Sequence, residues 1–511
     1  MESWTKPELI FGLVGPIGVD MSMVQSRLEH ALVSVGYVPV PIRLTSLMDQ
    51  VAVDEKITED GDPVVHYDSR IRYANAVRGK CDDDSALAAL GILEIRNIRE
   101  RENSAAHLDR DPSENLAEIP LTGRAYIIRQ LKRPEEISLL RKVYGRKFVQ
   151  ISVSLEAEER INRLAKNIAS KRSNLAPKEA YEAAKLLVER DYSEQAAPHG
   201  QRIEDVFHLG DVFVSAKSDS VASETLRRFI EALFGRNSIS PNRDEYGMYI
   251  ATSASLRSID TARQVGAAIF SEAGEVIALG SNEVPAPGGG TYWADHDDPH
   301  RDFDEGHDAN NTHKRRIAFD FIRRLREAGY IHREGSDTEL FAEVMATEQA
   351  SKSLLMDITE FGRMAHAEMS AVLDAARLGR PVKNGVLYCT TFPCHNCAKH
   401  IVASGIKRVV FVEPYPKSQA LDLHGDSISI EVRTAGKVTF EHFIGISPRR
   451  YRDIFEKGKR RDRDGNLREW YEGVPLPRIE DKSPYYVYNE SSAAYAALEK
   501  VARELGVSVS G

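Results

Sequence analysis

The sequence predicts an α/β protein of two domains. Residues 8–235 alternate apolar runs of strand length with amphipathic stretches, a pattern typical of a parallel sheet covered by helices. Residues 248–445 alternate in the same way around two short motifs rich in metal-binding side chains. Residues 236–247, which contain Gly, Pro, Ser and Asn, favour a linker. At 511 residues the chain is too long for one ordinary core, which agrees with two domains followed by an extension at 446–511.

The composition limits the classes of protein to consider. The formal net charge is −9, with 42% hydrophobic and 28% charged residues. This balance favours a soluble globular protein and lacks the positive charge expected of an obligate polynucleotide binder. No apolar run reaches transmembrane length and no secretory signal begins the chain, so we expect no membrane partner and a cytoplasmic location. Four cysteines in so long a chain do not form a disulfide scaffold.

The first apolar run leads into a glycine-containing loop and then into an amphipathic stretch. Strand, glycine loop and helix follow one another in this order in a phosphate-binding P-loop, G-x-x-x-x-G-K-[ST]. Gly15 and Ser22 fit that pattern, and Gly18 lies inside the loop. Asp20 replaces the second glycine and Met21 replaces the lysine. Because that lysine neutralises the outer phosphates of a nucleotide, we do not expect efficient phosphoryl transfer here.

The rest of the first domain continues the alternation. Predicted strands and helices occupy residues 8–14, 21–35, 123–131, 135–143, 147–153, 157–171, 211–214 and 223–234. The glycine loop, the segment IIRQLKRPEEISLLR and the closing strand DVFV resemble the P-loop nucleotide-kinase family over residues 8–235. The resemblance implies a degenerate P-loop nucleotide-kinase-like parallel-sheet domain over residues 1–235. Since the loop is degenerate, both nucleotide sensing with regulation of the second domain and a purely structural scaffold stay open.

The second domain begins with a predicted helix at 249–267 and two strands at 265–270 and 275–280. An insert at 286–335 follows, and its first part, residues 286–314, is glycine-rich and then acidic and rich in histidine. The histidines match no compact metal-ligand spacing, so we interpret residues 286–314 as a solvated polar loop, with an active-site lid as the alternative. These histidines are His296, His300, His307 and His313. Helices are predicted after this loop at 315–328 and 338–355.

The two metal-binding motifs are His366-Ala-Glu368 and Pro393-Cys394-x-x-Cys397. Each lies at the predicted start of a helix. One imidazole and two thiolates leave the fourth tetrahedral position of Zn²⁺ open for water, as a catalytic zinc site requires. The pattern H-x-E…P-C-x-x-C is the signature of zinc nucleobase deaminases, in which the glutamate shuttles protons and does not bind the metal. Glu368 is therefore the predicted catalytic acid and base. The alternative is a closed structural zinc knuckle with Cys389 as fourth ligand.

The flanks of these motifs resemble the deoxycytidylate deaminase family over about residues 248–425. The matching segments are ARQVGA at 262–267, GSNEVP at 280–285, HAEM at 366–369, TTFPCHNCA at 390–398 and GIKRVV at 405–410. The order strand, strand, helix, strand, helix, strand is that of the cytidine-deaminase fold, an α/β/α arrangement. The resemblance implies that cytosine of a deoxycytidine nucleotide becomes uracil.

The same resemblance implies several substrate contacts. Asn282 would hydrogen-bond the deoxyribose, and Arg263 lies near the nucleotide strand, although a structural salt bridge explains Arg263 equally well. Tyr415 could stack on a base and Lys417 could meet a phosphate. A solvated loop is the alternative for these last two residues.

The degenerate kinase-like half joined to a deaminase half resembles the bacterial antiphage dCTP/dCMP deaminases. That resemblance implies depletion of dCTP and dCMP during phage infection, control by an inhibitory small RNA, and a homo-oligomer. The run KGKRRDR at 457–463 would contact RNA or phosphates, or it is a solvated helix end. Three alternatives stay open: a housekeeping dCMP deaminase for dTMP synthesis, a polynucleotide deaminase of tRNA or single-stranded DNA, and a regulator without catalysis.

Overall fold

The computed structural model describes residues 6–58, 61–106, 115–172, 175–194, 197–358, 360–415 and 417–504. It separates into two units. The first takes the chain up to Glu245 and again from Ile444, and the second is Tyr246–Phe443. No helix in the described part of the chain is long and apolar enough to cross a membrane.

The elements up to the boundary between the units alternate as predicted. The strands are β1 (Leu9–Val14), β2 (Val38–Arg43), β3 (Arg124–Leu131), β4 (Phe148–Ser154) and β5 (Val212–Ser215). The helices are α1 (Met21–Ser34), α2 (Pro63–Cys81), α3 (Ala86–Ala106), α4 (Pro134–Tyr144), α5 (Ala157–Lys171), α6 (Pro177–Tyr192), α7 (Ile203–Phe207), α8 (Asp219–Leu233) and α9 (Arg243–Ser255).

The remaining elements complete the second unit and then return to the first. The second unit contains the strands β6 (Gly266–Phe270), β7 (Val276–Ser281), β8 (Val386–Thr391), β9 (Arg408–Glu413), β10 (Ile428–Ile430) and β11 (Val438–His442). Its further helices are α10 (Asp302–Glu305), α11 (Ala309–Glu327), α12 (Asp337–Ala346), α13 (Glu348–Ser351), α14 (Ala367–Arg377), α15 (His395–Ser404) and α16 (Ala420–His424). The chain then adds β12 (Gly445–Ile446), α17 (Pro448–Phe455) and α18 (Tyr486–Glu504) to the first unit.

The first sheet has the strand order β12-β5-β4-β1-β3-β2. Five of its strands are parallel, as predicted, and β12 pairs antiparallel with β5. All six residues of β1 are buried, because this strand lies at the centre of the sheet with helices on both faces. The carboxyl ends of β1, β2 and β3 therefore share one edge of the sheet, where ligands bind in open α/β folds.

The C-terminal helix α18 is held in the first unit by a buried ion cluster. The guanidinium of Arg99 on α3 donates to Glu8 at 3.0 Å and to Oε1 of Glu490 on α18 at 2.8 Å. The side chains of all three residues are fully buried. Because a buried charge is stable only when it is paired, this cluster fixes α18 against the first sheet domain, a placement that the sequence does not predict.

The second sheet has the order β10-β11-β9-β8-β6-β7, with β6 antiparallel to both of its neighbours and the other pairs parallel. The predicted order of strands and helices is confirmed. The helix predicted at 249–267 is too long, because α9 ends at Ser255 and residues 256–265 form a loop. The insert predicted at 286–335 contains α10 and α11, so it is not a solvated loop throughout. Ala318 and Ile322 of α11 form a small core with Leu340 and Phe341 of α12, which lies beyond the predicted end of the insert.

Candidate active site

Three metal-binding side chains come together at the starts of two helices. His366 immediately precedes α14, Cys394 immediately precedes α15, and Cys397 lies in the first turn of α15. Nδ1 of His366 lies 3.3 Å from Sγ of Cys394 and 3.4 Å from Sγ of Cys397. All three donor atoms lie within 4.8 Å of one another. The structure thus places the predicted ligands in one cluster.

The spacing of these atoms fits a zinc ion. Tetrahedral bonds of about 2.3 Å to sulfur and about 2.0 Å to nitrogen put neighbouring donors roughly 3.5 Å apart. Cys389 lies outside the group, and its thiol donates to the carbonyl oxygen of Val410 at 3.7 Å. The described residues therefore supply three ligands and leave a fourth position open. Open positions distinguish catalytic zinc sites from structural ones.

The histidine-rich insert adds no second cluster of this kind within the described residues. His296 contacts the backbone of Trp293, and His300 contacts the exposed carboxylate of Glu305 at 2.6 Å. His313 stacks on Phe361 with ring centroids 5.3 Å apart. His307 contacts the backbone carbonyl group of Glu305 at 3.2 Å. These local contacts agree with the interpretation of the four histidines as polar surface residues.

The environment of Cys394 favours the thiolate that metal binding requires. Hydrogen bonds with the Cys397 thiol and with the His366 ring lower the pKa of Cys394 to about 4. Sγ of Cys394 also accepts a hydrogen bond from the backbone N–H of Cys397 at 3.4 Å. A thiolate at the start of a helix is further stabilised by the helix dipole.

Glu368 lies in the first turn of α14, on the wall of a cavity of about 320 Å³ that His366 and Cys394 also line. Only 4% of Glu368 is exposed. Burial raises the pKa of its carboxyl group, and the positive charge of His366 opposes that rise. A carboxyl group held inside a cavity beside an open metal-binding cluster is suited to exchange protons with a small bound molecule.

Close packing of α14 on β7 fixes His366 and Glu368. A Cβ atom at Gly280 would lie 2.0 Å from the carbonyl oxygen of Ala367, so only glycine allows the helix to come so near the strand. The residue before His366 is fixed as well, because Ala365 exchanges backbone hydrogen bonds with Glu283, at 3.1 and 3.3 Å. Because both contacts involve the backbone, the backbone positions of His366 and Glu368 are closely restricted.

Asn282 lies on the cavity wall, but its amide group is largely engaged within the chain. Its Oδ1 accepts from the N–H of Val265 at 2.7 Å. Its Nδ2 donates to Oδ2 of Asp260 at 2.8 Å and to the carbonyl oxygen of Arg263 at 2.9 Å. Asn282 therefore holds the loop that precedes β6 in place, and one lone pair of Oδ1 stays available for a ligand.

Of the other predicted substrate contacts, two line the cavity and one does not. Arg263 forms a salt bridge with Glu413 at 3.3 Å, and its guanidinium lies 5.6 Å from the ring centroid of the half-buried Tyr415. Both Arg263 and Tyr415 line the cavity. Lys417 is exposed, pairs with Asp357 and is not part of the cavity wall.

The sequence interpretation missed the contribution of the insert to this wall. Asp302, Asp308 and Asn310 all line the cavity. Asp302 is buried and accepts from Nη1 of Arg363 at 3.1 Å, and Nδ2 of Asn310 donates to the carbonyl oxygen of Ile358 at 2.9 Å. The high density of acidic and amide side chains in the insert was the sequence feature that could have indicated this contribution.

The P-loop-like residues Gly15, Gly18 and Ser22 line a different cavity, also of about 320 Å³, in the first unit. A Cβ atom at Gly15 would lie 2.8 Å from the sulfur of Met21, so the side chain in the position of the P-loop lysine covers the loop. The carboxylate of Asp20 accepts from the N–H of Met23 at 2.9 Å. The helix start that would hold a phosphate in a P-loop therefore carries an acidic cap.

Residues 241–413 match the family model described as cytidine and deoxycytidylate deaminase zinc-binding region. The deoxycytidylate deaminase of Enterobacteria phage T2 is 46% identical over 54 residues, which are 11% of this chain and 29% of the phage protein. ComE operon protein 2 of Bacillus subtilis is 38% identical over 66 residues, 13% of this chain and 35% of that protein. The mouse deoxycytidylate deaminase is 30% identical over 99 residues, 19% of this chain and 48% of that protein.

The chain thus spans less than half the length of the curated relatives it matches. Among solved structures, the dCMP deaminase of cyanophage S-TIM5 in complex with dCMP and dUMP is 19% identical. That match has a TM-score of 0.23 and covers 40% of this chain and 98% of the phage chain. The segment that matches the family model, residues 241–413, includes His366, Glu368, Cys394 and Cys397.

Proposed function

We propose that this protein is a zinc-dependent hydrolase that deaminates deoxycytidine nucleotides, converting dCMP to dUMP and dCTP to dUTP with release of ammonia. The observation that carries the proposal is the position of Glu368 in one cavity with the open His366, Cys394 and Cys397 cluster. Zinc nucleobase deaminases combine these two features, a three-ligand metal site and a carboxyl group that does not bind the metal.

The roles of the residues follow from their chemistry. His366, Cys394 and Cys397 would hold the zinc, which when bound supplies a Lewis acid that makes a water molecule more acidic. Glu368 would take one proton from the water and deliver it to the ring nitrogen N3, and then pass the second proton, from the oxygen added to the ring carbon, to the departing amino group, which leaves as ammonia. Water and cytosine are thereby converted to uracil and ammonia, and Glu368 returns to its starting state.

The cavity supports a nucleotide as the ligand. Its volume of about 320 Å³ lies at the lower end of the range of small-molecule sites, about 300 to 1,000 Å³. Asn282 can accept a hydrogen bond from a sugar hydroxyl, while Arg263 and Tyr415 offer a cation and an aromatic face. Asp260, Asp302 and Asp308 add carboxyl groups to the same wall, and Asp302 is paired with Arg363.

The biological purpose belongs to the same proposal. One purpose is depletion of the dCTP pool in defence against phage, which is supported by the resemblance of the whole two-domain sequence to antiphage deaminases. In that case a small RNA would inhibit the enzyme, which would act as a homo-oligomer in the cytoplasm. Production of dUMP for dTMP synthesis agrees equally with the deaminase matches. Substrate choice separates the two purposes, because depletion of the pool requires turnover of dCTP.

A substrate panel tests the proposal directly. The purified zinc-loaded chain is incubated with dCTP, dCMP, CMP, deoxycytidine and a cytosine-containing single-stranded oligonucleotide, and both ammonia and uracil products are measured. We expect turnover of dCMP and dCTP. Turnover of dCMP alone would favour the housekeeping role. Uracil formed only within the oligonucleotide, or no ammonia from any substrate, would overturn the proposal.

A further inference from the structure

Two arginines lie side by side at the carboxyl edge of the first sheet. Arg43 is the last residue of β2, and it is the register partner of Arg129 in the neighbouring parallel strand β3. Both side chains line the cavity that contains the P-loop-like residues. Two adjacent guanidinium groups repel each other unless an anion lies between them.

Within the described residues, no carboxylate forms an ion pair with either arginine. Arg129 donates from Nη1 to the amide oxygen of Gln25 at 2.8 Å, and its Nη2 lies 3.5 Å from Oγ of Ser22. The buried Nε of Arg129 has no hydrogen-bond acceptor. Burial lowers the pKa of Arg129 and the charge of Arg43 lowers it further, against smaller opposing effects of Asp20 and Glu29.

The backbone beside these arginines is strained. Gln130 has φ = +74°, a left-handed conformation that is uncommon for residues other than glycine. It is the extra residue of a bulge, since Leu13 pairs with Arg129 while Val14 pairs with Leu131. Oε1 of Gln130 accepts a hydrogen bond from Oγ1 of Thr45 at 2.7 Å. Strained residues held in place by such contacts cluster at ligand sites.

The glycine loop itself offers no comparable place for an anion. Asp20 caps the start of α1, and Met21 covers Gly15. Nζ of Lys132, the nearest alternative to the missing P-loop lysine, is bound to Oδ1 of Asp191 at 2.7 Å and to the carbonyl oxygen of Gly15 at 2.9 Å. The positive charge that is not neutralised therefore lies at the β2 and β3 ends of the cavity.

Other parts of the cavity wall are apolar and aromatic. Leu44, Tyr67, Ile71 and Leu87 form these parts, and the volume of about 320 Å³ is far larger than an inorganic anion needs. We propose that this cavity binds a small organic phosphate monoester, with the phosphate on Arg43 and Arg129 and an apolar or aromatic body against Tyr67 and Ile71. The site is separate from the deaminase cavity and stands whether or not the proposed deaminase activity is correct.

Binding to the full-length chain is measured by isothermal titration calorimetry and thermal unfolding at constant ionic strength. The probes are inorganic phosphate, phenyl phosphate and phenol. We expect phenyl phosphate to bind about tenfold more tightly than inorganic phosphate because its ring enters the apolar part of the cavity, whereas phenol alone does not bind measurably. Both phosphates raise the melting temperature, because they bind the folded chain.

Arg43→Gln is the decisive variant, because the Arg43 side chain forms no hydrogen bond or ion pair within the described residues that the change would remove. It should unfold at the same temperature as the unmodified chain or slightly higher in phosphate-free buffer, and lose about tenfold in affinity for phenyl phosphate. Arg129→Gln should lose at least as much. Arg227→Gln is the matched control, since Arg227 pairs with Glu224 and Glu231 on the surface of α8.

Three results would overturn the proposal. The first is no phosphate-specific stabilisation of the unmodified chain beyond that of chloride at equal ionic strength. The second is full affinity in both cavity variants, which would place the phosphate elsewhere. The third is equal affinity for inorganic phosphate and phenyl phosphate, which would show that the phenyl ring gains no binding energy from the apolar part of the cavity. Because binding is the readout, loss of deaminase activity has no bearing on the outcome.

Discussion

Sγ of Cys394 lies 3.3 Å from Nδ1 of His366, although 28 positions separate the two residues in the chain. Each side chain marks the start of a helix, and the strand β8 lies between them in sequence. Packing of α14 and α15 on the same sheet brings the two helix starts together. The metal-binding cluster therefore depends on the packing of these two helices. Replacement of single side chains tests the role of each residue without changing that packing.

Glu368→Gln should abolish turnover while metal binding is retained. The variant keeps the size of the side chain but cannot transfer protons, so we expect kcat for dCMP to fall by about 10²- to 10⁴-fold. Zinc content, measured by mass spectrometry of the purified chain, should be unchanged. Asp374→Asn, later on the same helix, is the control and should keep full activity. A Glu368→Gln enzyme with normal kcat would refute the assigned role.

Cys397→Ser and Cys389→Ala should differ in zinc content. Cys397 belongs to the donor cluster, and its replacement should remove zinc and activity together. The Cys389 thiol donates a hydrogen bond to the carbonyl oxygen of Val410 and is not part of the cluster. Cys389→Ala should therefore retain one zinc per chain. It should lose some stability, because the smaller side chain leaves a small cavity. If Cys389→Ala lost its zinc, the site would be a closed structural one.

Asp308→Asn should improve the use of charged substrates. The Asp308 carboxylate is exposed at the wall of the cavity and repels a phosphate, whereas an asparagine still caps α11 in its place. We expect KM for dCMP to fall about twofold at low salt, with a smaller effect at high salt. KM for the uncharged deoxycytidine should not change. A matching fall for both substrates would mean that the change is not electrostatic.

Arg99→Met should destabilise the first unit, because it leaves the buried carboxylate of Glu8 without its cation and leaves Glu490 with only the more distant Arg96, at 3.8 Å. Removal of one partner of a buried ion pair costs roughly 3–5 kcal/mol of unfolding free energy. In the variant the buried carboxyl groups favour protonation, so its stability should fall further as pH rises from about 5 to 8. Urea unfolding at several pH values checks this.

Arg101→Met is the control for this prediction. Arg101 lies two residues later on the same helix with 70% of its side chain exposed, and its replacement should change the unfolding free energy by less than about 0.5 kcal/mol. Equal losses for the two variants would show that the buried charge of Arg99 is not the cause of the destabilisation.

Much of this protein could be predicted from local patterns. The strands β1, β4, β8 and β9 are apolar runs, and helices such as α5 begin and end where the sequence places them. The helix predicted across 249–267 was wrong in its second half, because contacts of Asn282 with the backbone of 263 and 265 hold that segment as a loop. A contact between residues about 20 positions apart leaves no mark on the local sequence pattern, so the pattern could not show where the helix ends.

The sequence by itself determined which side chains could form the metal-binding cluster. His366 and Glu368, like Cys394 and Cys397, are close along the chain, so their spacing at a helix start is fixed by local geometry. Only the tertiary structure decided that Asp302, Asp308 and Asn310 line the same cavity, that Arg43 lies beside Arg129, and that α18 belongs to the first unit. Those relationships join residues far apart in sequence, and they depend on how whole elements pack to bury apolar surface and pair buried charges.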